Sequence, residues 1–109
     1  MFVIVCRYIF RKNFVGITLF PFIILRNRQL KNNSTLMNHE KIHLVQQIEL
    51  FILPFYLWYF FEYLIRLIQY KNSHKAYLNI SFEREAYANE HNLNYLKKRK
   101  FYQFLHYLS

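Results

Sequence analysis

Residues 39–43 read His-Glu-Lys-Ile-His, two imidazoles four positions apart with a carboxylate directly after the first. On a helix turning about 100° per residue, His39 and His43 lie about 40° apart on one face. Two neutral imidazoles so placed can ligate a single ion, and zinc suits such donors. A catalytic zinc takes a third protein ligand and keeps one position open for water. Glu40 is turned about 100° from His39, so it can lean over that open position without ligating. A carboxylate there can serve as a general base toward water acidified by the metal.

The third ligand must come from a short supply. The chain has no Asp, and its six acids are Glu40, Glu49, Glu62, Glu83, Glu85 and Glu90. Glu83 and Glu85 fall near the start of a second predicted helix, where the helix dipole favours negative charge in any case. Residues two apart diverge by about 200°, so only one of the pair can face the metal. Glu83 shares its face with Tyr87 and Glu90. Spacing alone leaves the choice between Glu83 and Glu85 open.

These residues need elements to hold them. Residues 1–10 are apolar but broken by Arg7, which suits a strand or short helix packed on the core. A signal peptide would carry its positive charge first and end in small residues, and this segment does neither. Residues 14–25 are rich in β-branched and aromatic side chains, and Pro21 directs them to an edge strand or bulge. Residues 26–34 form a polar loop, with Ser34 or Thr35 as a helix cap. A helix over about 36–53 then carries the two His. Pro54 either kinks it or opens the next helix. Residues 55–68 are large and apolar apart from Glu62 and Arg66, which are spaced for an i,i+4 ion pair. The apolar stretch from Leu50 to Phe61 falls short of the roughly 20 residues a bilayer span requires, and reaching that length means including both charges. A buried or interfacial hairpin fits better, and the crowded aromatics suit a membrane surface. Residues 70–79 read as a linker. Ser81 caps a helix over 82–96, followed by the solvated run Lys97-Lys98-Arg99-Lys100 and an apolar tail.

Length and composition limit the classes of protein. A chain of 109 residues, 54% of them hydrophobic, fits one modest domain over residues 1–109 and excludes disorder. One Gly and two Pro supply too little punctuation for an all-β sandwich. The expected fold is therefore mainly α (α+β): short N-terminal strands packed on an active-site helix, an aromatic-rich second helix, and a third helix bearing a ligand. The single Cys6 excludes an internal disulfide and a thiolate cluster. A net charge of +9 admits acidic partners, but no specific nucleic-acid motif is present.

His39-Glu40-Lys41-Ile42-His43 followed by Phe82-Glu83-Arg84-Glu85-Ala86-Tyr87 resembles the gluzincin group of zinc metallopeptidases. The likeness covers roughly residues 14–96, with about a dozen specific positions. It implies Zn2+ held by His39, His43 and Glu83, with Ala86 as the small residue of the downstream Glu-x-x-small pattern and Glu40 as the catalytic base. It also implies a peptide or protein substrate, and a strand edge from 14–25 beside the active-site helix. Tyr87 stands where many such sequences have an Asp that orients a ligating His. Tyr87, Asn38, Gln47 or a backbone carbonyl is expected to take over that task. Candidates for stabilising an oxyanion are His74, Tyr77, Tyr87 and His91. The expected location is cytoplasmic or peripheral to the cytoplasmic membrane. A non-catalytic protein stapled by a metal and a membrane-associated interaction protein are the competing readings.

Overall fold

The computed structural model describes residues 2–6 and 14–108. Three short strands come first: β1 (Phe2–Val5), β2 (Gly16–Leu19) and β3 (Phe22–Leu25). β3 is central, parallel to β1 and antiparallel to β2, so that Ile24 pairs with both Ile4 and Ile17. The expected 14–25 strand is thus a hairpin that turns at Phe20-Pro21, where Pro has no N–H to continue a ladder. Its first arm, β2, is left on the sheet edge. β1 occupies part of the apolar 1–10 segment, whose residues 1 and 7–10 lie outside the described ones.

Helix α1 spans Ser34–Glu49 and is capped by Asn33 rather than by Ser34 or Thr35. The Asn33 side chain accepts from Leu36 N–H at 3.0 Å, satisfying a first-turn donor. The buried positions of α1 are unusual in being polar: Asn38, His39, Glu40, His43, Gln46, Gln47 and Glu49, with Ile42 the apolar exception. Gln47 stitches α1 to the strand edge. Its amide donates to Thr18 O at 2.7 Å and accepts from Phe20 N–H at 2.8 Å.

α1 ends earlier than expected, and α2 (Leu53–Tyr70) leaves it at 112°. Leu53 N–H bonds to Phe51 O at 2.8 Å, a γ-turn centred on Ile52 at φ 68°, ψ −71°. A β-branched residue in that conformation costs about 1–3 kcal/mol. Ile52 N–H to Gln47 O (2.7 Å) and Pro54 in the first turn of α2 hold it there.

The stretch expected as a linker contains a short helix, α3 (Ser73–Leu78), capped by the Asn72 side chain. α4 (Ser81–Asn89) is shorter than the expected 82–96 helix. Ser81 is its first helical residue, and the cap comes from another element. Glu62 of α2 accepts from Ser81 N–H at 2.9 Å and from the Ser81 hydroxyl. Its carboxylate thereby faces the positive end of the α4 dipole. Glu62 is consequently not paired with Arg66, which donates to Leu108 O and Gln69 Oε1. After a turn, α5 (Tyr95–Lys98) and a 3-10 segment (Gln103–Tyr107) close the chain.

Phe55, Ile80, Phe82 and Phe104 form the apolar centre, with Leu50, Tyr56, Tyr59 and Tyr63 against it. The fold is mainly helical with a small N-terminal sheet. α1 lies between that sheet and α4, and this sandwiching brings the candidate residues together.

Candidate metal centre

His39 and His43 project from the buried face of α1 toward Glu83, in the first turn of α4. His39 Nε2 and His43 Nε2 are 3.1 Å apart. Glu83 Oε1 lies 2.9 Å from the second and 3.3 Å from the first. Tetrahedral zinc with bonds of about 2.0–2.1 Å separates its ligand atoms by roughly 3.3 Å. The three donors therefore outline one face of a tetrahedron. Among the described residues they form the group suited to hold a metal ion.

The partners behind the rings decide what those three atoms are. Gln46 Nε2 donates to Phe82 O (3.1 Å) and Glu85 Oε1 (2.9 Å), both of which can only accept. Its carbonyl oxygen must then be the atom facing His43 Nδ1 at 2.8 Å, so Nδ1 carries the hydrogen. Glu90 Oε2 likewise accepts from His39 Nδ1 at 2.9 Å. In the neutral imidazoles both Nε2 atoms are left with lone pairs aimed at a carboxylate oxygen. Three mutually repelling acceptors converge there, and only a cation between them satisfies the arrangement. A metal ion can be that cation.

A proton can substitute in the metal-free protein. Burial opposes charge on His43, but the charge and hydrogen bond of Glu83, with Glu40 and Gln46, raise its pKa to about 9. Burial would lift Glu83, yet the charge on His43 and bonds from both imidazoles hold it well below the usual carboxylate range. The Glu83 Oε2 atom accepts from Tyr59 OH at 2.8 Å, which fixes the carboxylate plane.

Glu40 sits beside this group without belonging to it. Its Oε1 accepts from the Thr18 hydroxyl at 2.8 Å. A Cβ placed on Gly16 would lie 3.3 Å from Glu40 Oε2, a tight contact that the small residue on β2 avoids. Burial raises its pKa, although His43, His39 and the Thr18 bond each pull the other way. A carboxylate raised toward neutrality is a better proton acceptor for catalysis at ordinary pH.

A pocket of about 480 Å³ reaches Glu40, His43 and Glu83. Phe14, Ile17 and Leu19 line it from the strand side, and Phe55, Tyr59 and Tyr77 from the helices. Of the four residues considered for an oxyanion, Tyr77 lines this pocket. His74 stacks against Tyr77 with ring centroids 6.2 Å apart. Tyr87 packs edgewise on His39 at 4.5 Å, and His91 is exposed next to Glu90.

The substitutes expected for the missing Asp are differently employed. Asn38 donates to the carbonyls of Asn89, Glu90 and Asn92, which closes the end of α4 and sets Glu90 beside His39. Gln47 holds β2. The orienting groups are Glu90 and Gln46. Glu90 falls seven positions after Glu83, two helical turns along the same face, so its shared periodicity was the available signal. Gln46 and Tyr59 carried no such signal, since their roles depend on how α1, α2 and α4 meet. Glu85 points away from the metal group, and Arg99 is turned inward to it rather than solvated. Arg99 binds Glu85 and, at 2.7 Å, Glu49, and its side chain is 3% exposed.

Comparison with protein-family models, curated proteins and solved structures finds no match to this chain.

Proposed function

We propose that the protein is a zinc-dependent peptidase of gluzincin type, with His39, His43 and Glu83 as ligands and Glu40 as general base. The observation that carries this reading is the convergence of three lone-pair donors beside a buried carboxylate at the wall of a pocket. Two imidazole nitrogens and one carboxylate oxygen suit zinc chemically. A purely structural zinc site closes with four protein ligands, and the donor group among the described residues has three. That favours the catalytic reading over a staple.

Bound zinc supplies Lewis acidity, which acidifies water and polarises a carbonyl. Glu40 takes the proton from the attacking water and returns it to the leaving amine. Thr18 holds the Glu40 carboxylate in place through that cycle. Glu90 and Gln46 keep both imidazoles in the ligating tautomer. Tyr77, which lines the pocket, is a hydrogen-bond donor for a developing oxyanion. Burial and the neighbouring Glu83 charge raise its pKa, so it stays protonated. β2 is an edge strand lining the pocket, and an extended peptide can add along the part of that edge beyond Thr18 O and Phe20 N–H, which Gln47 holds.

Metal analysis of the purified protein and its variants tests the ligands. His39→Ala and Glu83→Ala are expected to lose the metal, and full retention in both would sink the site. Glu40→Gln is expected to keep the metal while slowing cleavage of a peptide library by about 10²–10⁴-fold. Undiminished cleavage in that variant would remove Glu40 from the reaction.

A further inference from the structure

α2 is turned inside out. Over residues 53–68 its charged side chains and two of its tyrosines face the protein: Glu62 holds the start of α4, Tyr59 holds Glu83, Tyr56 reaches Gln47, and Arg66 reaches Leu108 O. Its exposed residues from Leu53 to Ile68 are all apolar, and none carries a charge. Leu53, Leu57, Phe60, Phe61, Leu64 and Ile68 recur at helical spacing along one side. The stripe continues into the turn before the helix, where Phe51 is 82% exposed. Turns at a water-facing surface are normally polar, and this one reads Leu50-Phe51-Ile52-Leu53.

We infer that this face of α2, with the Phe51 turn, docks on the surface of an anionic lipid bilayer. Hydrocarbon favours elements whose polar groups are satisfied from within, and the inward bonds of Tyr56, Tyr59, Glu62 and Arg66 serve that end. A protein partner would be expected to find a polar rim carrying hydrogen bonds, which the exposed side of 53–68 lacks. Exposed Lys71 and Lys75 follow the apolar side directly, on a chain of net charge +9 without Asp. Anionic headgroups complement that charge. No helix among the described residues is long and apolar enough to cross a membrane, and the α1–α2 pair is bent by 112°. The helix therefore lies along the interface, about 27 Å of it for 18 residues. The opposite side of α2 contributes Phe55, Tyr56 and Tyr59 to the pocket, so docking sets the pocket beside the membrane surface.

Flotation with vesicles tests this without reference to catalysis. The protein is expected to float with phosphatidylcholine–phosphatidylglycerol vesicles, and less with phosphatidylcholine alone. Trp58, the sole Trp of the chain and part of α2, should shift its emission to the blue on binding. Phe61→Gln with Ile68→Gln changes two exposed side chains and is expected to weaken partition at least about tenfold. Lys71→Gln with Lys75→Gln should remove the preference for the anionic lipid. Circular dichroism unchanged from wild type shows that the variants fold. Absence of flotation, or flotation indifferent to the α2 substitutions, would overturn the inference. So would a lipid-indifferent dimer that the Phe61/Ile68 variant dissolves, since a second copy would then cover the face.

Discussion

Both imidazoles of the candidate metal centre are hydrogen-bonded from behind. Glu90 and Gln46 fix which nitrogen carries hydrogen, and that choice leaves both Nε2 lone pairs available to a metal ion. Carboxylates in this position raise the basicity of the ligand as well as orienting it. Glu90→Gln keeps an acceptor but removes the charge, and it is expected to weaken metal affinity about 10–100-fold. Competition with a chromogenic chelator measures this directly. Unchanged affinity would mean that Glu90 supports the end of α4 and does nothing for His39.

α1 and α4 are joined through a buried charge cluster as well as by apolar contact. Arg99 enters between α1 and α4 to meet Glu49 and Glu85, with Tyr95 OH and the Tyr102 N–H completing the cluster. Glu85 also accepts from Gln46, which in turn holds His43, so the C-terminal segment is tied to the candidate metal group. Removing the cation strands two carboxylates away from water. Arg99→Met is expected to cost about 3–5 kcal/mol of unfolding free energy, readable by denaturant titration. A loss below about 1 kcal/mol, as for an exposed pair, would place Arg99 at the surface.

On the proposed reading metal and fold are linked across the molecule, because the three donors come from α1 and α4 and meet only in the folded chain. At a metal concentration about 1,000 times Kd, the stabilisation is roughly 4 kcal/mol, so chelation should lower the melting temperature. The pH dependence follows from His43. In the metal-free protein its pKa is raised from 6.5 to about 9, so its charged pairing with Glu83 contributes fully below 6.5 and is lost as pH rises through about 9. A metal ion displaces that proton. Metal affinity should then climb about tenfold per pH unit within this window and level off above it. The gap in melting temperature between loaded and chelated protein is expected to widen from pH 6.5 to 9. A gap that stays constant would show that His43 is already neutral without metal.

What could be read from the amino-acid string is what helical periodicity dictates. His39, Glu40 and His43 lie within one turn, so their relation is local and follows from 3.6 residues per turn. The inventory of six Glu and the lack of Asp narrowed the third ligand to two positions, and the gluzincin likeness preferred Glu83. The apolar character of residues 55–68 was equally legible, as was the mainly helical class, but which side of that helix stays exposed was not. Tertiary packing decided the rest. Gln46, Tyr59 and Arg99 acquire their roles from partners tens of positions away, and no period connects them. Arg99 shows the reason most plainly. In a run of four basic residues it is indistinguishable from a solvated side chain. The meeting of Glu49 with Glu85 across α1 and α4 is what draws it inside, because two buried carboxylates need a cation. The same holds at the centre itself: two His and a Glu are separate donors in the sequence, and only the approach of α4 to α1 brings their lone pairs to about 3 Å.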